Sequence, residues 1–394
     1  MKILIVSQYY YPEQFQINEI APELVKRGHQ VTVLTGLPNY PGGEIYAGYE
    51  EKGRRSEEIN GVHVIRVKDL PRKTGAVHLF FNYFSFAAAG RKQAKKLGAF
   101  DIVLCYQLSP VSSLEPAILY ARKNRVPLLA YCLDLWPESA KAHTDVKLLY
   151  HAISVYSKRV YQKCDHIAVT SRPFIDYLEK TNGIPEEKMS YIPQHADSSL
   201  LNTPLQTEEN GITDFMYAGN LGAGQTIDVI IRAAAEIKEK VFVVHLVGDG
   251  SQRKSLEELT GALGVQDKIR FHGIKRRDEM GFWYRKADVL LITLRGNNAV
   301  GNTMPGKLQA YMAAGKPVLG AINGAASEVI RESECGKCVP AGDYKGLSAL
   351  MAEYIDHPES FTDSGANAQR YFQKHFTLDI FTDRLERLMK DMVK

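Results

Sequence analysis

The chain holds 394 residues, 45% apolar and 24% charged, a balance that excludes bulk disorder and leaves room for two domains with separate cores. Its net charge of +4 is unevenly spread: residues 1–195 carry 25 Lys+Arg against 19 Asp+Glu, residues 196–394 carry 24 against 26. A basic first half suits an anionic membrane or anionic substrates better than nucleic acid.

MKILIVSQYY opens the chain with an apolar run of about five residues, shorter than a signal-peptide core and without a small-residue cleavage site. No segment approaches the ~20 apolar residues that span a bilayer. The expected location is therefore cytoplasmic, free or peripheral on the cytoplasmic face of the membrane. KILIVSQYY, QVTVLTG, VHVIRV, DIVLCYQ, PLLAYCLD, HIAVTS and MSYIPQ read as strands. Helical stretches such as INEIAPELVKRG, closed by Gly28, lie between most of them. That alternation predicts a doubly wound α/β domain over residues 1–195, with a parallel sheet covered on both faces.

Within it, residues 72–96 set Phe80, Phe81, Phe84 and Phe86 between Arg72-Lys73 and the cluster Arg91, Lys92, Lys95 and Lys96. Such a helix can lie in a membrane interface, or it can be a domain helix with a solvated basic end. Residues 196–211 turn polar and read as a linker. DFMYAG, FVVHLVG, IRFHG, VLLITL and PVLGAI then restart the alternation over residues 212–370. Two such sheets in tandem make a cleft and bind ligands beyond the carboxyl ends of their strands. The amphipathic tail, 371–394, predicts a helix packing across the domain junction. The five cysteines are odd in number and scattered, and the lone Cys335-Gly-Lys-Cys338 has no matching pair for zinc. Free thiols in a reducing compartment are expected.

The first strand runs into SQYYYPEQ, which lacks the glycines of a dinucleotide fingerprint. In the second half Gly219, Gly222 and Gly224 follow a strand and precede a helix, where small residues let backbone N–H groups approach phosphate. AVGNTMPGKLQAYMAAGKPVLG (299–320) offers a second such place. Thr303 or Met304 is the expected N-cap and Pro305 an early helical position, with no carboxylate in the first turn. Lys307 sits in that turn against the sense of the helix dipole. A bound diphosphate would resolve both features, with the ammonium and helix terminus acting together. Ala310, Ala313 and Ala314 keep one side of the helix small enough for a nucleotide or a sheet.

GHQVTVLTG, FMYAGNLGAGQTIDVIIRA, LVGDGSQRKSLEEL, IRFHGI and AYMAAGKPVLG together resemble the retaining nucleotide-sugar glycosyltransferases of family 4. LDLWPES and NNAVGNTMPGKLQAYMAAGKP resemble the branch acting in bacterial surface-polysaccharide assembly, which includes N-acetylfucosamine transferases. The resemblance implies the GT-B fold: two Rossmann-like domains facing across a cleft, the first for the acceptor and the second for the nucleotide sugar. It also implies a C-terminal helix crossing back to the first domain.

The implied donor residues include Gly219, Gly222 and Gly248. The family's arginine and lysine on the diphosphate would fall at Asn220 and Gln225, both neutral. Its two glutamates would fall at Asn302 and Ala310, which leaves the ribose contact to Gln309 or Glu328. Lys307 and Arg295 become the expected diphosphate cations, beside Thr303 and Met304. The base is expected at the loop His272-Gly273-Ile274-Lys275-Arg276, so Ile274 and Arg276 join the donor set.

Asp134, at the end of PLLAYCLD, is the expected carboxylate for orienting the acceptor or stabilising oxocarbenium charge, with Glu13 as the second candidate and a turn cap as Asp134's other reading. Neither a metal nor another cofactor is expected. The resulting expectation is transfer of a sugar, such as an N-acetylated deoxyhexose, from a UDP-sugar to a saccharide acceptor. That acceptor would be carried on polyprenyl diphosphate in O-antigen or capsule assembly, with the inner membrane surface met through 72–96. A UDP-N-acetylhexosamine 2-epimerase on the same fold and a non-catalytic sugar-binding protein are the alternatives.

Overall fold

The computed structural model describes the chain except residues 51, 52, 54, 73–75, 140–145, 203–210 and 297–303, and the side chains of Ala76, Val77, Leu79 and Asn202. It divides into two compact units, Met1–Gln194 with Leu378–Lys394, and His195–Thr377.

The first unit runs β1 (Lys2–Val6), α1 (Ile17–Lys26), β2 (Gln30–Thr35), β3 (Ser56–Ile59), β4 (Val62–Arg66), α2 (Ala76–Ala94) and β5 (Ile102–Gln107). It continues with α3 (Leu114–Asn124), β6 (Leu128–Cys132), α4 (Lys147–Tyr161), β7 (His166–Val169), α5 (Pro173–Tyr177) and β8 (Met189–Tyr191). Its sheet has the order β3-β4-β2-β1-β5-β6-β7-β8, parallel except for the β3–β4 pair. Central strands such as Ile102–Gln107 are buried at every position, which is why they read as unbroken apolar runs. β3, with sequence SEEI, escapes that reading because an edge strand is short and charged, which also blunts edge-to-edge pairing.

The second unit contains β9 (Thr213–Ala218), α6 (Ile227–Glu236), β10 (Phe242–Val247), α7 (Arg253–Ala262), β11 (Ile269–Gly273), α8 (Met280–Lys286) and β12 (Val289–Thr293). α9 (Gly306–Ala314), β13 (Val318–Ala321), α10 (Gly324–Ser333), β14 (Gly336–Val339), α11 (Tyr344–Asp356) and α12 (Ser364–His375) complete it. The all-parallel sheet has the order β11-β10-β9-β12-β13-β14, with one apolar cluster on each face. Its edge strand β14 takes in Cys338, and all five cysteines are free thiols.

Two expected boundaries move. Residues 196–202, expected as linker, pack on the second unit: Ala196, Leu200 and Leu201 lie against its core, and Ala196 N–H donates to the Phe376 carbonyl at 2.9 Å. That bond occupies the carbonyl at the end of α12, so the expected single helix over 371–394 is two. α13 (Leu378–Val393) belongs to the first unit, where Phe381, Leu385 and Met389 join the core beside Ile3 and Leu24. Arg27 at the end of α1 clasps α13 through Asp379, Asp383 and Glu386. His29 meets Glu386 at 3.0 Å. Arg27→Ala strands this acidic stripe and also removes packing, so it is expected to lower stability by about 1–2 kcal/mol. Urea unfolding checks it; an unchanged midpoint would mean the clasp is solvent-screened.

Candidate active site

The second unit's glycine loop is fixed by backbone packing between neighbouring strand ends. Gly219 N–H donates to the Val247 carbonyl and Leu221 N–H to the Asp249 carbonyl, both at 2.9 Å. A Cβ on Gly248 would sit 1.9 Å from the Gly219 oxygen, and Gly248 has φ +136°. Gly248 is thus required for the two loops to touch; its place is under the Gly219 loop. Asn220 is turned inward too, its Oδ1 2.4 Å from where a Cβ on Gly250 would lie. Arg295 clasps the same loop, its N–H on the Gly224 carbonyl at 2.9 Å and its guanidinium on the Ala223 carbonyl at 3.2 Å.

α9 begins later than the sequence suggests. Its N-cap is Pro305 in extended conformation, so Pro305 is not an early helical residue and Met304 lies before the cap. Thr303 and Asn302 lie outside the described residues. Lys307 is in the first turn, which has no acidic residue. Its ammonium folds back over the glycine loop, donating to the Tyr217 hydroxyl and to Gln225 Oε1, 4.2 Å from the Tyr217 ring centroid. It lies 3.4 Å from the position a Cβ on Gly219 would take.

The Tyr217 hydroxyl stands 2.9 Å from the Asn220 carbonyl and 3.2 Å from Gln225 Oε1. It has one proton, so it accepts from Lys307 and donates to one of these two. Burial among neutral acceptors pushes the Lys307 ammonium down to about 7. No carboxylate pairs with it among the described residues. The structure therefore brings Gly219, Asn220, Gln225 and Lys307 together; Tyr217, which completes the group, was not read from the sequence. A tyrosine inside an apolar strand gives no such signal.

Other expected donor residues have different surroundings. Ile274 is 80% exposed. The Arg276 guanidinium turns to Asp278 at 3.1 Å while its N–H caps onto Glu279 at 2.8 Å. Gln309 is buried on α9, and Glu328 is half-buried on α10. Ala313 and Ala314 face the sheet in the apolar core, which settles their side of the helix for packing.

In the first unit both expected carboxylates hold backbone. Glu13 Oε1 accepts from Asn39 N–H at 2.8 Å and Tyr40 N–H at 2.7 Å, and Oε2 from Tyr10 N–H at 3.3 Å. It ties the loop after β1 to the loop after β2. Burial pushes its carboxyl up to about 7, against those three amides. Asp134 Oδ2 accepts from Ser109 N–H at 2.8 Å, so it caps the loop after β5 and not its own following turn. Asp134 is only half-buried and its second oxygen has no partner among the described residues, which leaves it better placed than the buried Glu13 to meet a ligand.

Asp69, missed in the sequence, is buried in the first unit as Glu13 is: Oδ1 accepts from Leu37 N–H at 2.8 Å and Oδ2 is unpartnered. Burial raises it to about 7. A carboxyl raised from 3.8 gives stability below that value that is lost as pH rises to 7. Asp69→Asn is therefore expected to raise the thermal midpoint at pH 8 and leave it nearly unchanged at pH 4. An equal shift at both pH values would show that Asp69 is not the titrating group.

Sequence models agree with this two-unit reading. Residues 15–200 match the model described as Glycosyltransferase Family 4, and residues 213–357 match Glycosyl transferases group 1. The chain belongs to the family 4 glycosyltransferases. An uncharacterized glycosyltransferase of Methanocaldococcus jannaschii is 25% identical over 370 residues, covering 85% of this chain and 84% of that one. The putative colanic acid biosynthesis glycosyl transferase WcaI of Escherichia coli is 23% identical, covering 80% of this transferase and 82% of its own length.

Among solved structures, Anabaena HepE in complex with UDP superposes with a TM-score of 0.72 at 16% identity, covering 99% and 100% of the two chains. Sucrose-phosphate synthase from Thermosynechococcus elongatus gives 0.75 at 16%, covering 99% and 98%. These likenesses establish the GT-B fold of the transferase. The matched models describe transferases, which favours transfer over the 2-epimerase alternative.

Proposed function

We propose that this glycosyltransferase moves a sugar from a UDP-sugar to a saccharide acceptor in polysaccharide assembly, with retention at the anomeric carbon. The observation that carries the reading is Lys307, an ammonium without a counter-ion among the described residues, laid over the Gly219 loop at the start of an acid-free helix. A diphosphate there would meet the ammonium and the free N–H groups of α9 together. UDP as the nucleotide is supported by the HepE complex, and polysaccharide assembly by the similarity to WcaI, a putative colanic acid biosynthesis transferase.

In the retaining step the bond from the anomeric carbon to the phosphate oxygen breaks, and the acceptor oxygen bonds on the same face. The acceptor proton passes to the departing phosphate. Lys307 offsets the charge that develops on that phosphate, with no metal called for. Asp134 would orient the acceptor hydroxyl. The acceptor is proposed to be lipid-linked, held at a membrane surface, and the sugar to be an N-acetylated deoxyhexose; the support is the basic, aromatic 72–96 segment and the sequence resemblance described above.

The test is a panel of UDP- and GDP-sugars with and without lipid-linked acceptor, following nucleotide release and the anomeric configuration of the product. Acceptor-dependent UDP release with a retained anomer is expected; a C2-isomerised donor without release would sink the proposal. Asp134→Ala is expected to lower turnover by about 10²-fold or more while UDP binding stays as in the parent. Unchanged turnover would confine Asp134 to capping Ser109.

A further inference from the structure

Two helices of the first unit, α2 and α4, carry more apolar surface than their core needs. Each already has a core-facing side: Tyr83, Phe86 and Ala87 on α2, Ser157, Val160 and Tyr161 on α4. Outside that side, α2 exposes Phe80, Phe81 and Phe84 at 52%, 53% and 43%. Toward its end it exposes Arg91 and Lys92 on the same stripe, since helix period aligns 80, 84, 88 and 91. α4 repeats the pattern, with Leu148 and Leu149 exposed at 80% and 45%, then Val155, then Lys158 and Arg159. Neither helix contains an Asp or Glu.

The helices are neighbours. The Phe84 and Tyr156 ring centroids are 6.3 Å apart, and Glu115 at the start of α3 takes Arg91 at 3.4 Å and the Tyr156 hydroxyl at 3.3 Å. The two apolar stripes therefore share one face, with cations at its margin and no acid on either helix. Protruding aromatic and aliphatic side chains bordered by Lys and Arg match the boundary between acyl chains and anionic headgroups. Among the described residues no helix is long and apolar enough to cross a bilayer, so contact is along the surface.

We propose that α2 and α4 together dock this protein on an anionic lipid bilayer. Phe80, Phe81, Phe84, Leu148 and Leu149 enter the headgroup–acyl boundary, and Lys92, Lys158 and Arg159 meet lipid phosphates. This rests on the membrane-side reading above and adds α4, which the sequence gave no reason to include.

The experiment is flotation of the full chain with phosphatidylcholine vesicles, with and without phosphatidylglycerol, in low and high salt. Retention only on the anionic vesicles, released by salt, is expected. Phe80→Ser/Phe81→Ser and Leu148→Ser/Leu149→Ser should each cut the partition coefficient on the order of tenfold or more. Lys158→Glu/Arg159→Glu should also reduce it, and UDP binding in every variant reports that the chain is folded. Loss in the α2 variant alone would overturn the two-helix face. Equal retention of all variants, or salt-independent retention on phosphatidylcholine, would overturn the proposal. So would self-association that the serine variants abolish with no vesicle retention, because the face would then join two copies. No sugar transfer is read here, so failure to dock and failure to transfer are separate results.

Discussion

Replacing Lys307 with alanine is expected to weaken UDP binding by about 1–3 kcal/mol, the range of a charge-assisted hydrogen bond, or roughly 5- to 150-fold in Kd. The pH dependence makes the expectation specific. In the free protein the ammonium titrates near 7, because burial among Tyr217 and Gln225 disfavours its charge. A diphosphate favours the charge, so binding above pH 7 takes up a proton and affinity falls as pH rises from 7 to 9. The last proton of the diphosphate leaves near 6, below that window, so it contributes little opposing slope. Calorimetry in buffers of different ionisation enthalpy measures the proton uptake directly. Lys307→Ala should flatten the profile; a wild-type affinity that is level from pH 7 to 9 would remove Lys307 from the diphosphate.

The same shift has a consequence for stability, of opposite sign to the binding effect. A lysine whose folded value is lowered from 10.5 costs stability as pH falls through that interval, and the cost is complete below about 7. Lys307→Met should therefore raise the thermal midpoint of the free protein at pH 7 while abolishing most UDP affinity. The partners left behind can satisfy each other, since the Tyr217 hydroxyl is already 3.2 Å from Gln225 Oε1. Gain of stability with loss of ligand is the signature of a buried charge kept for binding.

The second large effect is expected at Gly248→Ala. The new Cβ would lie 1.9 Å from a backbone oxygen, at φ +136°, so neither a rotamer change nor a side-chain shift relieves it. The loops after β9 and β10 must separate, loosening the Leu221–Asp249 and Gly219–Val247 hydrogen bonds. A loss of about 2–4 kcal/mol in unfolding free energy is expected, together with UDP binding too weak to measure. Gly224→Ala is the control, because a Cβ there meets nothing within 4 Å. If both variants unfold alike, the close backbone approach at Gly248 is not what holds the Gly219 loop.

How much of this was legible without coordinates differs by element. The buried parallel strands were readable because strands covered on both faces are apolar at every position, as Ile102–Gln107 and Val289–Thr293 are. β3 and β14 were not, since SEEI and GKCV carry charge or glycine where an edge strand tolerates it. The Lys307 anomaly was visible as a cation in an acid-free first turn, while its partners were not. Tyr217 is 90 residues away in sequence and looks like any strand tyrosine. Asp69 was hidden similarly, as one carboxylate in a polar-looking segment that the fold presses against Gly36.

The sequence by itself determined the alternation of strands and helices, hence two doubly wound units, and the family through motifs spread along the whole chain. These are local or periodic properties, and periodicity survives in one dimension. Only the tertiary structure decided which polar atoms meet: Lys307 with Tyr217 and Gln225, Asp134 with Ser109, Glu13 with the amides of Asn39 and Tyr40. It also decided that α13 returns to the first unit and that α4 stands beside α2. Each of these is a contact between residues distant in sequence, fixed by how the layers pack and by where buried polar groups must find partners.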